Sequence, residues 1–297
     1  MRIRVAATAL SGAVVLAALA VPVAAQAAER PGAAAGLGAF ARSASATGAH
    51  SGSVSAKTVR PNDAVGNIKF SKGVVNGGKD IVLGATTKKS FTATYTATSD
   101  NGVALTVAAL WQGTDSSSAD GITGELDTDD DPNCVESTTQ TGVYSCKAVF
   151  NIDAATDLKN NGAAGTWKLF LGGFDLSANA SIDDDVATTK IKKASKLTVN
   201  ATPEPVKKGK TITVTGKLTR ANWNTGTYAG YSGQKVQLQY RKKGSSTYTT
   251  LKTITAGTGG ALKTTTKATA DGYYRFSFAT NATTGASTAT GDYVDVK

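Results

Sequence analysis

Histidine is almost absent from the 297-residue sequence, since His50 is the only one. It lies in a stretch rich in Ala, Gly and Ser, residues 28–65, whose few large apolar side chains predict a disordered spacer. Without a histidine in a folded segment, Ser-His-Asp and Cys-His catalysis have no general base. A zinc site built on histidine ligands is excluded for the same reason. These absences predict a protein that is not an enzyme.

Cysteine is nearly as scarce, with Cys134 and Cys146 as the only two residues of this type. Two cysteines in an exported chain are expected to form a disulfide. The bond would enclose 11 residues, and closing such a loop is worth roughly 3 kcal/mol in the chain-entropy model. Two free thiols or a metal-binding pair remain as the alternative, although no nearby histidine completes a metal site.

Long apolar runs are missing beyond the N-terminus, where Val5–Val21 is rich in Ala, Val and Leu. Arg2 and Arg4 precede this run, and Ala25-Gln26-Ala27 has the A-x-A form of a cleavage site. The pattern predicts a signal peptide over residues 1–27. The run is too short and too rich in alanine for a membrane span. We therefore expect a secreted, extracellular protein without a membrane span, at most loosely associated with the cell wall.

Negative charge is scarce overall but is concentrated in one part of the chain. Residues 66–190 contain nine Lys and Arg against 16 Asp and Glu, a net charge of −7, whereas residues 194–297 contain 15 against four, a net charge of +11. The basic half favours anionic partners such as wall polymers or phospholipid headgroups, or an anionic glycan. A lysine-rich surface without a partner is the alternative. Nucleic acid is not expected of an exported chain without an RNA- or DNA-binding motif.

Helical periodicity is also missing, and from Gly66 onward the sequence consists of short β-prone runs separated by turn signals. Phe91–Thr96 alternates strictly, and Gly272–Ala279 places three aromatic residues on one face. Such runs predict antiparallel strands with one buried face. The predicted fold class is all-β, with two consecutive antiparallel β-sandwich (Ig-like) domains over residues 66–193 and 194–297. We predict that Lys190–Ala194, which spans the boundary between these two domains, is a basic connector.

Segments within Val206–Ala279 carry a resemblance to a known family. VKKGKTITVTGKLTRANW, GQKVQLQYRKKGSSTYTTLKTI and DGYYRFSF resemble bacterial immunoglobulin-like modules of secreted actinobacterial proteins. The resemblance covers Lys196–Lys297, and the upstream segments VVNGGKDIVLG and AGTWKLFLGGFDLSAN resemble the companion domain of the same proteins. It implies a spacer or an interaction module, and some relatives are described as calcium-binding.

One motif imitates the immunoglobulin disulfide. Gly142–Cys146 has the Y-x-C form of an immunoglobulin F strand, and Trp111 resembles the tryptophan of strand C. In immunoglobulin domains the partner cysteine lies on strand B, but the expected B strand here, Phe91–Thr96, has none. The disulfide is therefore predicted to hold a local loop.

The densest acidic run precedes the first cysteine and has oxygen ligands at alternate positions. The candidate calcium ligands are Asp127, Asp129, Asp131 and Asn133. An EF-hand is not expected, because Pro132 stands where that loop needs Gly and Thr138 where it needs Glu. Another type of Ca²⁺ site and a solvated loop tip both remain open. Asp183–Asp185 is a second acidic run, which would either complete such a site or form the edge of a charged linker.

An aromatic cluster marks a predicted long loop, Ala221–Gly233, in the basic half. Trp223, Tyr228 and Tyr231 lie in it and would bind carbohydrate if exposed. The alternative is that Trp223 caps the core of its own sandwich. The sequence as a whole predicts a secreted non-enzymatic β-sandwich protein that binds calcium through its acidic loop. The alternative function is a surface, wall-polymer or carbohydrate-binding adhesion module acting through the basic C-terminal domain.

Overall fold

The structure, a computed structural model, describes residues 67–158, 160–177 and 179–297. The predicted signal peptide (1–27), the predicted spacer (28–65) and His50 lie outside these residues. Within the described part, the chain forms strands and short 3₁₀ turns and no α-helix. No helix there has the length and apolar character needed to cross a membrane.

The first half of the described chain forms two sheets. Its strands are β1 Lys69–Val75, β2 Ile81–Leu83, β3 Lys88–Thr98, β4 Val103–Gly113, β5 Ile122–Asp127, β6 Asn133–Glu136, β7 Val143–Asp153, β8 Gly165–Asp175 and β9 Ala180–Lys193. One sheet has the order β1-β3-β7-β6 and the other β2-β9-β8-β4-β5. All pairs are antiparallel except β2 with β9, which is parallel.

Strict alternation along the strands places a core between these two sheets. On β3, Phe91 and Tyr95 point inward with the alanines between them, and Leu110 and Leu169 face them from the second sheet. Burying large apolar side chains of this kind is worth roughly 1.5–3 kcal/mol each. The Tyr95 hydroxyl and Thr106 Oγ1 lie 2.7 Å apart and join the sheets by a buried hydrogen bond. We call this half the first sandwich.

The second half repeats the plan. Its strands are β10 Ser195–Leu197, β11 Asn200–Thr202, β12 Thr211–Asn222, β13 Thr227–Gly230, β14 Lys235–Lys242, β15 Thr249–Thr255, β16 Ala261–Lys267, β17 Gly272–Phe278, β18 Ser287–Thr288 and β19 Asp292–Val294. In one sheet β12 pairs with β10, β11, β13 and β16; in the other the order is β15-β14-β17-β18, and β19 also pairs with β17.

The core of this second sandwich lies between those sheets. Ile212 and Val214 of β12 face Leu238 of β14 together with Tyr274 and Phe276 of β17. The strand order of the first sandwich, with β1-β3-β7-β6 opposite β9-β8-β4, is the A-B-E-D and G-F-C arrangement of immunoglobulin domains. The all-β sandwich prediction is confirmed.

Three local predictions were wrong. Lys190–Ala194 is not a separate connector, because β9 runs through Lys193 and β10 begins at Ser195. Asp183–Asp185 lies inside β9 and not at a linker edge. The predicted loop Ala221–Gly233 contains β13, which pairs with the end of β12 to form a hairpin. Strands β5 and β6, on either side of the acidic run, were not predicted.

The disulfide between Cys134 and Cys146 is confirmed. The two residues pair directly across β6 and β7, neighbouring strands of one sheet, so the bond does not join the two sheets. In chain order β7 is the E strand, and thus the Y-x-C motif is not an F strand. Trp111 does lie on the C strand, β4, but it packs on the outer face of its sheet, and Trp167 of β8 is the core tryptophan.

Candidate functional site

The acidic run connects β5 of one sheet to β6 of the other sheet of the first sandwich. Because β6 carries Cys134, the run lies before the ring that the disulfide closes and not inside it. Asp129 and Asp131 are exposed, and an oxygen of Asp129 accepts a hydrogen bond of 2.9 Å from the side-chain amide of Asn151 on β7. Asp129 and Asp131 therefore share one exposed crossover, while Asn133 is the exposed first residue of β6 and Asp127 the last residue of β5.

Asp127 differs from its neighbours because it is half-buried at the end of β5, where it pairs with Ala109. Burial, with a smaller contribution from the negative charge of Glu125, raises the pKa of Asp127 to about 6. Burial favours the neutral carboxyl group unless a positive charge compensates for it. A bound cation at this crossover would supply such a charge.

The described residues contain no group of three or more His, Cys, Asp or Glu side chains arranged to hold a metal ion. The second acidic run is engaged along β9: Asp184 accepts a hydrogen bond from the Ser116 hydroxyl at 2.6 Å, and Asp185 lies 3.3 Å from Lys168 Nζ. Calcium binding at the crossover stays a prediction.

Trp223 follows β12 at the tip of the β12–β13 hairpin and reaches into the first sandwich. Its side chain is 4% exposed and belongs to the core that contains Leu83 and Phe91. The indole Nε1 donates a buried hydrogen bond of 3.0 Å to the carbonyl oxygen of Gly84. An added Cβ at Gly84 would lie 3.0 Å from the Tyr228 hydroxyl, so the close approach of the hairpin leaves little room there.

Asn161, in the turn between β7 and β8, holds the same hairpin tip from the other side. Its side-chain oxygen accepts a hydrogen bond from the backbone amide of Trp223 at 3.0 Å, and its Nδ2 donates to Asn222 at 2.7 Å. Its own backbone amide donates to the Asn224 side chain at 2.9 Å. Side chain and backbone of one residue of the first sandwich thus bind three consecutive residues of the second.

These contacts correct the prediction for the aromatic loop. Trp223 caps the core of the first sandwich and not of its own, and a buried indole cannot stack on a sugar. Tyr228 also packs against the first core, with Lys196 Nζ 3.9 Å from its ring centroid. Tyr231 packs against the second core beneath Arg220, whose guanidinium carbon is 3.9 Å from the ring centroid. The three rings therefore do not form one exposed platform.

Two buried lysines complete the junction at the end of β9. Lys192 Nζ lies 2.7 Å from an Asp80 carboxylate oxygen and donates to Thr280 at 2.9 Å. Lys193 is 4% exposed, and its Nζ lies 5.5 Å from the centroid of a Trp223 ring. Burial, together with the positive charge of Arg220, lowers the pKa of Lys193 to about 8.

The backbone of Lys193 bridges both sandwiches. Its strand β9 pairs with β2, while its amide donates to Thr283 at 3.0 Å and its carbonyl accepts from Gly285 at 2.9 Å. The next amide, of Ala194, donates to Leu83 at 2.7 Å. The chain therefore passes from one sandwich to the other through satisfied backbone hydrogen bonds and not through an open linker.

A second surface was not found from the sequence and lies on the outer face of the β15-β14-β17-β19 strands. Val236, Leu238 and Tyr274 point into the core, so the alternate residues of these strands point outward. The outward residues pair across β14 and β17, with Gln239 opposite Arg275 and Arg241 opposite Tyr273. We call this surface the Tyr–Arg face.

Cations and rings alternate along the Tyr–Arg face. The Arg275 guanidinium carbon lies 3.6 Å from the Tyr248 ring centroid, and the Arg241 guanidinium carbon lies 5.2 Å from Tyr248 and 4.1 Å from Tyr273. The Tyr273 and Tyr293 ring centroids are 5.2 Å apart. Outward alternation in QLQYR and YYRFS was visible in the sequence, but the register that brings the two segments together was not.

Comparisons with known proteins give no family. No protein-family model matches the sequence, and no curated protein matches it. The solved structures that are similar include the D00-D0 domain of intimin, at 16% identity over 76% of this chain and 99% of that chain, with a TM-score of 0.25. The Yersinia pseudotuberculosis adhesin InvE is 15% identical over 77% of this chain and 60% of its own, with a TM-score of 0.25.

The full ectodomain of mouse nectin-like molecule 4 is 14% identical over 78% of this chain and 65% of its own, again with a TM-score of 0.25. Scores of this size carry no inference about what this chain binds.

We predict that Trp223→Ala destabilises the protein by about 3–5 kcal/mol, since it removes a large buried side chain and leaves a cavity. It also uncouples the two sandwiches, so calorimetry should resolve two unfolding transitions that are further apart than in the unsubstituted protein. Trp223→Phe is the matched control, because it keeps a ring but not the hydrogen bond to Gly84. Its stability should lie between that of the unsubstituted protein and that of Trp223→Ala. If Trp223→Ala unfolds at the same temperature as the unsubstituted protein, the packing of Trp223 in the first core does not contribute to stability.

We predict that the free energy of unfolding rises between about pH 8 and pH 10 through Lys193. In this window the unfolded lysine still binds its proton, whereas the folded one has released it, so raising the pH favours the folded state. The gain in the free energy of unfolding across this window is at most about 3 kcal/mol. Below pH 8 the lysine is charged in both states, so the free energy of unfolding no longer changes with pH through Lys193. Urea unfolding at several pH values measures it.

Lys193→Met should remove this rise, whereas exposed Lys207→Met should keep it. Burial raises the pKa of Tyr95 and Tyr274 to about 12, whereas unfolded tyrosines titrate near pH 10. The two tyrosines therefore lower the stability as the pH approaches 10, by the same amount in both lysine variants. Equal slopes in Lys193→Met and the unsubstituted protein would contradict the assignment.

Proposed function

We propose that this protein is an extracellular adhesion module that works by binding and not by catalysis, and that its second sandwich attaches to an anionic polymer of the cell surface. The observation that carries the proposal is charge separation across a fixed junction. The first sandwich is acidic and the second is basic, with net charges of −7 over residues 66–190 and +11 over residues 194–297. The anchor of Trp223 and Asn161 holds them together.

The extracellular location is supported by the disulfide and by the N-terminal sequence. A bond such as Cys134–Cys146 persists in oxidising compartments, and the pattern of residues 1–27 is that of an export signal. A protein held at a surface benefits from rigid modules, because a fixed junction transmits the position of one binding face to the other domain. The rigid pair therefore supports adhesion better than free signalling or catalysis.

An anionic polymer is the partner that the charge supports. Lysines of the second sandwich such as Lys207, Lys263 and Lys267 are exposed, and only four acidic residues occur over the last 104 residues. Such a surface concentrates polyanions within a Debye length of about 8 Å at physiological ionic strength. Loose, salt-sensitive retention at a wall is the expected behaviour.

The proposal predicts that the protein sediments with purified bacterial cell walls that retain their anionic polymers, and that it stays in solution with walls stripped of them. Sodium chloride at about 0.5 M should release it, because screening shortens the reach of the basic surface. The bound fraction is measured by centrifugation and absorbance. Equal sedimentation with stripped walls, or none with intact walls, would overturn the proposed function.

Calcium binding at the β5–β6 crossover is a second candidate. The specific observation that favours it is Asp127, a carboxyl group held half-buried beside Glu125 at the start of a run of exposed carboxylates. Hard oxygen ligands of this kind suit Ca²⁺. A cation would offset the cost of ionising Asp127 and would stabilise the crossover between the two sheets.

This candidate predicts that Ca²⁺ at about 100 times its dissociation constant adds roughly 2.7 kcal/mol to stability, seen as a higher melting temperature than in chelator. The gain should shrink at pH 5, because Asp127 is then protonated and ligands must lose their protons to bind. Asp129→Asn should abolish the gain, and Asp115→Asn, on another exposed loop, should not. Equal melting temperatures with Ca²⁺ and with chelator would contradict calcium binding at the crossover.

A further inference from the structure

We propose that the Tyr–Arg face is a binding site for an anionic glycan chain, with tyrosine rings that stack on sugar rings and guanidinium groups that pair with carboxylates. The inference rests on the proposed function and gives it a site and a ligand class. Four observations on the described residues support it: the alternation of rings and cations, the fixed orientation of the guanidinium groups, the engaged acid at one end, and the contrast with the opposite sheet.

The orientation of the two arginines is fixed before any ligand arrives. Arg275 donates its Nε–H to Gln239 at 2.9 Å while it stacks on Tyr248. Arg241 donates to the carbonyl oxygen of Ser245 and lies against Tyr248 and Tyr273. A stacked, planar guanidinium loses little side-chain entropy when it pairs with a carboxylate in a bidentate geometry. The face is therefore organised for anions in advance.

The acid beside the face is already engaged. Asp271 lies 3.4 Å from Lys243 Nζ, accepts a hydrogen bond from the Tyr293 hydroxyl at 3.1 Å, and accepts another from the amide of Val296 at 2.9 Å. These contacts, with the backbone hydrogen bond from Val296 foremost, hold the pKa of Asp271 below its usual value. Lys243 balances the resulting negative charge, so the Arg241 and Arg275 end of the face remains positive.

The dimensions favour a chain over a single sugar. The row crosses β14, β17 and β19 and begins at Tyr248, which directly precedes β15, the neighbour of β14. Neighbouring strands are about 4.8 Å apart, so the row extends over roughly 14 Å. Tyr248, Tyr273 and Tyr293 are half-buried, which fixes their rings and leaves part of each accessible. Rings of this kind supply contact area at low entropic cost.

The outer face of the opposite sheet shows that solubility alone does not require such residues. There Thr213 pairs with Thr265, Thr215 with Lys263, and Thr211 with Lys267. That face is wet and basic, yet its outward positions on these two strands hold no ring and no arginine. The Lys196–Tyr228 pair of that sheet lies against the first sandwich, so the part of the opposite face on β12 and β16 does not combine cations with rings as the Tyr–Arg face does.

The test is calorimetric titration of the full mature chain with pentagalacturonate, a carboxylated sugar chain. Binding should be at least about tenfold tighter than to neutral maltopentaose and to polyglutamate of equal charge, because neither of these offers rings and carboxylates together. Equal affinity for polyglutamate would overturn the site in favour of charge alone. Tighter binding of single-stranded oligothymidine, whose bases also stack on aromatic side chains, would overturn the ligand class.

The variants locate the site. Arg241→Gln with Arg275→Gln should weaken binding at least about tenfold, whereas Lys263→Gln with Lys267→Gln, the same charge change on the opposite face, should alter it less than about twofold. Tyr248→Leu should also weaken binding, and Tyr248→Phe should restore it. Melting temperatures of all variants identify those that misfold. The Lys263 and Lys267 double variant is the control for the loss of two positive charges, because both lysines are exposed on the opposite face.

Failure of this inference differs from failure of the proposed function. If both double variants lose binding equally, or if pentagalacturonate does not bind, the Tyr–Arg site is wrong. Sedimentation with intact walls that persists in Arg241→Gln with Arg275→Gln would then leave the adhesion proposal intact without this site. Loss of sedimentation in this variant but not in the Lys pair supports both.

Discussion

The insertion of the Trp223 indole into the first sandwich is the contact on which the arrangement of the described chain depends. A buried tryptophan contributes more apolar area than any other side chain, and it needs a partner for its N–H. The carbonyl oxygen of Gly84 is that partner. Interfaces between domains in one chain are usually small and polar, and domain motion is the normal expectation. Here a tip of one domain contributes to the core of the other, and separating them would expose that core.

The junction also explains why two lysines are buried. Lys192 is paired with Asp80, whose side chain is exposed, and this ion pair offsets part of the cost of burying the ammonium group. Lys193 has an aromatic ring beside it and Arg220 nearby, and its lowered pKa shows that its charge is disfavoured there. The formal charge of the sequence thus overstates the charge available at the surface. Lys192 bonds to Asp80 and Thr280 across the junction, whereas the buried charge of Lys193 costs stability there. The surface charge that can meet a partner belongs to the second sandwich.

The sequence predicted much of the fold, because strand alternation is a local property. Phe91–Thr96 falls within β3, and Gly272–Ala279 extends one residue beyond β17. The disulfide followed from the number of cysteines and the expected compartment. Strand β9 was missed because its middle, with three aspartates in a row, has no β-prone composition. Its place is given by pairing with β8, its neighbour in sequence, and with β2, which is distant in sequence.

The candidate sites were harder to predict, for the same physical reason. The local sequence around Trp223 is compatible with an exposed or a buried indole. Burial depends on contacts with the segment of Gly84, 139 residues earlier in the chain. The Tyr–Arg face requires the register of β14 on β17, which places Arg241 opposite Tyr273. The acidic run was easy to see, yet its crossing from one sheet to the other was not, since this depends on the pairing of β5 with β4 and of β6 with β7.

The two features that the sequence did not reveal belong together. If the hairpin of Trp223 were free, its aromatic residues would be the natural ligand surface of the second sandwich, as its composition suggested. Because Trp223 and Tyr228 pack against the first sandwich, binding by aromatic rings has to use another surface. The outer face of β14 and β17 lies on the other sheet from β12 and β13, so occupation of the hairpin by the neighbouring domain does not engage it. The second sandwich therefore contacts the first through the sheet of β12 and β13, and the outer face of its other sheet stays available for a surface polymer.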